Sequence, residues 1–281
     1  EKLRDSIRQL IVANPIYYSH IIPDENGKLH FGENTPFVLP FETVELPQNY
    51  REEDMETTID CYARIPLSVD SDYLCKFYLF HQKEYVWCFM PKFHHSVMDG
   101  MSMNAFCSQL SELYNGSSIY SLPLIQEYNH YLEQADCHPE DDYLYWKEYL
   151  SGTSLRVPLD CFEGKEPEHD GRYCFSLGES LFRQCDHFCL SEDTTLFRLL
   201  AAVWSATVGR FCPLESGWLV LDHTVNLCPD EFRQTLGNYV NNLPLKIKVT
   251  DSLREILTQI KLDRRKAKIH QFITYTELIP R

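Results

Sequence analysis

The sequence predicts an α/β protein built as two successive lobes. Strand-like runs alternate with helix-like runs along the whole chain, and the alternation falls into two halves. A stretch rich in Pro, Gly and charge, residues 152–171, separates them. The expected division is therefore 1–171 and 172–281.

Leu3, Ile7, Leu10 and Ile11 recur at helical spacing and predict an amphipathic helix over 2–13. A strand follows over 17–22, residues 24–28 form a turn signal, and 29–31 return as its partner. Residues 41–46 alternate as a further strand. Residues 74–80 and 85–92 read as a hairpin about 82–84. Ser102 is the expected cap of the next helix, with Met103, Phe106, Leu110 and Leu113 as its inner stripe. Acidic residues at 140–142 suit the positive end of a helix opening at Pro139. The second half reads as a strand (172–177), two helices (180–188 and 195–211), strands at 218–225 and 243–249, and a helix over 253–268.

Composition narrows the function. The chain has 281 residues, of which 44% are hydrophobic, enough for real cores. Lys and Arg number 26 against 41 Asp and Glu, a net charge of −15. That surface repels phosphate backbones and anionic lipid, so neither nucleic acid nor membrane is an expected partner. No apolar run reaches the roughly 18 residues that a membrane span needs. Eleven cysteines at irregular spacing predict unpaired, mostly buried thiols and a reducing, cytoplasmic setting. Cys185 and Cys189 share a helix face, but further ligands are not evident and no metal is expected.

The segment His94-His95-Ser96-Val97-Met98-Asp99-Gly100 carries the chemistry. It lies between a strand and a helix, where a polar side chain is held rigidly yet faces outward. An imidazole titrates near pH 6.5, so it can take a proton from an attacking amine or hydroxyl. A carboxylate four residues after His95 can fix the loop, and a glycine allows close approach of a ligand.

The pattern His-His-x-x-x-Asp-Gly resembles that of the condensation domains of nonribosomal peptide synthetases, within the CoA- and carrier-dependent acyltransferases. Three other landmarks match in order. Tyr145-Trp146-Lys147-Glu148-Tyr149 resembles the family's Tyr-Trp helix, and Thr195-Leu196-Phe197 its Thr-Leu-Phe helix. Leu236-Gly237-Asn238-Tyr239-Val240-Asn241-Asn242-Leu243-Pro244-Leu245 resembles its Gly-x-Phe-Val-Asn-Thr-Leu-Pro-Leu segment.

This resemblance implies a chloramphenicol acetyltransferase-like fold, with mixed sheets flanked by helices and two lobes arranged as a V around the active site. Family members begin before residue 2 and continue past Gln271, so a partial domain with an incomplete second lobe, or an unusually short relative, is expected. The implied reaction joins a carrier-bound acyl or peptidyl thioester to an acceptor amine. His95 is the expected base or positioning group, and Gly100 a backbone donor to the oxyanion. His94 is expected to support the loop, Asp99 to anchor it, and Asn241 to lie near the cleft floor, unless it only satisfies backbone groups at a strand edge. No intrinsic cofactor is implied. The phosphopantetheine arms of acyl and peptidyl carrier proteins are the substrate tether, and adjacent synthetase domains are the further partners.

The chain also departs from the family. An arginine is expected to pair with Asp99, yet Asn226-Leu227-Cys228-Pro229 stands where an Asn-Arg pair is usual, and Tyr18 where another arginine is common. Arg233 and Arg210 are the candidate substitutes. Three alternatives remain: an ester-forming relative, an epimerising relative, and a non-catalytic docking or gating module. The basic stretch Lys261, Arg264, Arg265, Lys266 and Lys268 reads as a solvated helix face, with contact to a phosphopantetheine or an acidic carrier as the minor reading.

Overall fold

Helix α1 (Lys2–Ala13) forms where predicted and buries Ser6, Ile7, Leu10 and Ile11 along one stripe. It stops at Asn14, whose side-chain amide donates to the Leu10 carbonyl at 2.9 Å just before Pro15. The structure is a computed structural model and describes residues 1–25, 29–33, 37–68, 73–118, 139–155, 157, 174–214, 216–274 and 278. Pro15–Tyr18 make a 3-10 turn, so the expected strand begins only at β1 (Ser19–Pro23). Proline's fixed φ suits that turn. Strand β1 pairs antiparallel with β2 (Leu29–Glu33), while residues 26–28 of the expected turn lie outside the described residues.

The sheet that carries the His-His loop has the order β3 (Phe41–Glu45), β4 (Cys75–Gln82), β5 (Tyr85–Phe93). Strand β3 runs parallel to β4, and β4 antiparallel to β5 with an irregularity between Phe80 and His81. Alternation along β4 sends Cys75 and Phe77 into a core shared with Ile7, Leu10, Ile11 and Phe106. Tyr78 and Phe80 point the other way, into a cluster joined by Met55 and Tyr62. Those two residues belong to α2 (Met55–Arg64), a helix that the sequence pattern does not predict. Met55, Thr58, Ile59 and Tyr62 are its half-buried positions, at helical spacing, and none is fully buried. So thin a stripe among Glu, Thr and Asp gives little periodic signal.

Helix α3 (Gly100–Tyr114) is capped three residues earlier than expected, by Asp99 rather than Ser102. Its buried face holds Phe106, Leu110 and Leu113, as predicted, together with Ala105 and Gln109.

In the second half, α4 (Pro139–Leu150), α5 (Glu179–Ser191) and α6 (Leu196–Phe211) precede an antiparallel pair, β6 (Trp218–Asn226) and β7 (Val240–Lys248). Helix α7 (Leu253–Ala267) comes next. Leu245 and Ile247 of β7 pack with Ala201 and Ala202 of α6 and Ile256, Leu257 and Ile260 of α7. Trp146 of α4 is fully buried against Leu243, Ala267 and Ile273, and its indole N–H donates to the His270 carbonyl at 2.8 Å. Tyr145 stacks on His270 at 4.0 Å, whereas Tyr143 is exposed. Most of the aromatic cluster in α4 is therefore packing. Residues 174–177 form no strand, and 172–173 lie outside the described residues, as does most of the expected linker.

Contacts divide the chain into two compact units, Glu1–Ala135 with Cys228–Tyr239, and Asp136–Leu227 with Val240–Arg281. The expected division was 1–171 and 172–281. Helix α4 instead groups with the second unit, and the β6–β7 connection with the first, where Leu236 is completely buried in the α1–β4–α3 core. Among the described cysteines only Cys75, Cys189 and Cys212 are buried, so the thiols are less buried than composition suggested. No helix among the described residues is long and apolar enough to cross a membrane.

Candidate active site

Strand β5 ends at Phe93, and the His94 N–H donates to the Leu74 carbonyl at 2.8 Å, carrying the sheet one residue into the loop. The next side chains divide by role. Val97 and Met98 are buried in the core and hold the loop down by packing. His94 is half-buried, and its Nδ1 lies 2.7 Å from the Ser96 hydroxyl. The Ser96 N–H donates to the same nitrogen at 3.2 Å, which makes Nδ1 the acceptor and puts the proton of the neutral ring on Nε2. That ring is thus tied to its own loop. His95 is exposed to solvent.

Asp99 is 3% exposed, and both of its oxygens are occupied. Oδ1 accepts from the Ser102 N–H at 2.7 Å and caps α3. Oδ2 accepts from the Tyr239 N–H at 2.9 Å. The Asp99 N–H donates to the Gly237 carbonyl at 3.2 Å, and the Gly237 N–H donates to the Ser102 hydroxyl at 3.2 Å. The Asn238 side-chain amide donates to the His95 carbonyl at 2.7 Å. Residues 237–239 therefore clamp the loop on both sides of Asp99.

The expected arginine partner is absent among the described residues, and peptide N–H groups take its place. Arg233 pairs with Asp230 at 2.7 Å on the surface, Arg210 is exposed on α6 in the other unit, and Tyr18 packs its ring on Phe37. Charge-assisted hydrogen bonds from backbone N–H groups are among the stronger ones and satisfy the oxygens of a buried carboxylate. The negative field of Asp99 is felt nearby. Burial pushes the Cys228 thiol up to about 11, and Asp99 adds to the shift. Burial also raises Tyr17 well above the usual phenol range, with Tyr239, Cys75 and Asp99 contributing.

Gly100 is the first residue of α3, exposed, with open space where a side chain would begin. First-turn N–H groups of a helix have no partner within it; Asp99 takes those of Ser102 and Met103, so Gly100 and Met101 carry the candidate donors beside the loop. Asn241 lies in the second unit, and its amide is committed to backbone groups. Nδ2 donates to the Gln271 and Ile273 carbonyls at 2.9 and 2.6 Å, and Oδ1 accepts from the Asn242 N–H at 2.9 Å. Its geometry is that of a strand residue tying β7 to the segment after α7. The residues that sequence reasoning passed over are Gly237, Asn238 and Tyr239, although they stand in the same motif as Asn241.

A family model described as Condensation domain matches residues 1–281. The chain belongs to the condensation domain family. It is 26% identical over 203 residues to surfactin synthase subunit 3 of Bacillus subtilis (strain 168), covering 68% of this chain and 15% of that protein. It is 24% identical over 250 residues to the nonribosomal peptide synthetase fmqA of Aspergillus fumigatus, covering 87% of this chain and 6% of that protein. The chain thus spans a small part of these relatives. Among solved structures, the first condensation domain of the CDA synthetase superposes with a TM-score of 0.76 at 17% identity, over 99% of this chain and 68% of that one. The X-domain from teicoplanin biosynthesis superposes with a TM-score of 0.77 at 16% identity, over 99% of this chain and 64% of that one. These likenesses show the chloramphenicol acetyltransferase-like fold of the condensation domains.

Proposed function

We propose that this chain is a condensation-type acyltransferase domain, or the larger part of one. It would form an amide between a carrier-bound acyl or peptidyl thioester and an acceptor amine. The observation that carries the reading is an exposed His95 on a loop fixed at both sides. An exposed imidazole on a backbone hydrogen-bonded at both sides suits positioning and deprotonating an attacking amine. In this reading the amine attacks the thioester carbonyl, the N–H groups at the start of α3 stabilise the oxyanion, and collapse expels the thiol of the phosphopantetheine arm. His94 and Asp99 act by holding the loop. The partners would be acyl and peptidyl carrier proteins and neighbouring synthetase domains.

The test mixes the protein with an acyl-loaded and an aminoacyl-loaded carrier and follows the product by intact mass. His95→Ala should lower the rate by about 10²–10⁴-fold, the range for loss of general acid–base catalysis. Amide formation unchanged by that substitution removes His95 from its role. An ester formed with a hydroxyl acceptor, or an inverted tethered residue, would assign one of the relatives with the same loop. Carrier binding without turnover would assign a docking module.

A further inference from the structure

A cationic pocket in the second unit is lined by residues that have no role in the reaction proposed above. The chain is acidic, at −15 overall. Yet a cavity of about 480 Å³ opens where α6, the end of β6 and the C-terminal half of α7 meet. Arg198, Lys261, Arg264, Arg265 and Lys268 line it, and no carboxylate does. Such a concentration of one sign is costly unless something balances it, more so where burial weakens screening by water.

Among the described residues little balances it beyond Asp193, which Lys261 and Arg198 both stabilise as an anion. Lys261 reaches Asp193, which lies outside the lining. Arg264 is half-buried, with its guanidinium carbon 4.6 Å from the centre of the Phe197 ring. Burial, and then the neighbouring Arg198, hold its guanidinium below its ordinary pKa. The Nε of Arg198 is buried with no hydrogen-bond partner among the described residues. Arg264, Arg265 and Lys268 have no carboxylate partner among the described residues either. His223 faces the same cavity as a neutral ring, its Nδ1–H donating to the Leu243 carbonyl at 2.8 Å.

We propose that this pocket binds a phosphate-bearing polyanion, with Arg198 and Arg264 as the principal ligands and Arg265 and Lys268 at its exposed rim. Guanidinium forks match phosphate oxygens in pairs, and a phosphate brings the two or more charges that a single carboxylate lacks. The volume admits a phosphorylated small molecule rather than an inorganic ion alone, since ligand pockets run from about 300 to 1,000 Å³. The phosphate could reach it on a diffusing metabolite or as the phosphoester of a pantetheine arm.

Calorimetric titration of the whole chain in phosphate-free buffer tests this, using pyrophosphate, 4′-phosphopantetheine and unphosphorylated pantetheine. No carrier or acyl group is present, so the result is independent of condensation activity. Saturable binding of both phosphorylated probes and none of pantetheine is expected. Phosphopantetheine binding much tighter than pyrophosphate would identify the arm as the source, and the reverse a free metabolite. Arg198→Gln with Arg264→Gln should weaken binding about tenfold or more, as charge-assisted pairs are lost. Because Arg264 packs on Phe197, a second variant, Arg265→Gln with Lys268→Gln, removes two exposed charges and should weaken binding about threefold or more. Arg8→Gln with Arg51→Gln removes the same charge from the first unit and should change nothing. The proposal is overturned if neither phosphorylated probe binds at millimolar concentration. It is equally overturned if pantetheine binds as well as its phosphate, or if the first-unit variant weakens binding as much as the pocket variants.

Discussion

Asp99 shows how a buried carboxylate can be satisfied without a cation. Replacing it by Asn keeps one acceptor but turns an amide N–H₂ towards one of the two peptide donors. Leaving a buried donor unmet costs about 1–3 kcal/mol, so Asp99→Asn should lower the urea midpoint accordingly. A midpoint that does not move would show that the clamp contributes nothing to stability. Gly100 tests the other half of the loop. No atom lies within 4 Å of where its Cβ would be, so Gly100→Ala meets no clash in the fold. Its effect on stability should stay within about 0.5 kcal/mol. A turnover that falls in that stable variant would show that the space is needed by substrate. The residue types foretold the loop, since two histidines, an aspartate and a glycine at fixed spacing are a side-chain pattern. They did not foretell the clamp. A peptide N–H is carried by every residue except proline, so no residue type at 102 or 239 marks the donor.

Among the elements, legibility followed the strength of the apolar stripe. Helices α1, α6 and α7 bury several large or small apolar residues on one face and were read to within a few residues. Helix α2 buries none completely and was missed. The packing of α6 yields a prediction in which two effects oppose. Ala is favoured over Gly in a helix by up to about 1 kcal/mol. At Gly209, however, a Cβ would lie 2.5 Å from Cγ1 of Val249, next to the end of β7. Overpacking of that kind costs about 1–3 kcal/mol, so Gly209→Ala should lower the melting temperature; an increase would mean that the contact relaxes freely. Strand β6 supplies a pH dependence. Burial, and then Arg264, push the His223 imidazole down to about 4 from its usual 6.5. The unfolded chain therefore binds a proton that the folded one refuses between those values. Stability from this group is complete above pH 6.5 and declines as pH falls towards 4, by about 3 kcal/mol at most. Comparing wild type with His223→Gln in urea at pH 7 and pH 4.5 measures it, and parallel pH profiles would refute it.

For the whole molecule, the alternation of strands and helices predicts an α/β protein, and contacts draw its division elsewhere than composition does. A linker-like stretch at 152–171 says where the chain is polar, not which partner α4 packs on; Trp146 with Leu243 and Ile273 decides that. Nor does linear order reveal that 228–239, lying between β6 and β7, completes the first unit. Deleting every residue beyond 135 removes Leu236 from the core and the Tyr239 N–H from Asp99. A chain of residues 1–135 should therefore lack a cooperative urea transition, or melt well below the intact protein. A sharp transition at the intact protein's midpoint would show that the returning segment is dispensable.

The clamp on Asp99 has an evolutionary corollary. The two N–H donors to Asp99 do not depend on side-chain identity at 102 and 239, so drift at those codons leaves both in place, and only the Ser102 hydroxyl that accepts from Gly237 is exposed to it. An arginine in the same post is lost by almost any missense change. Here only one amino acid, proline, strips a donor away.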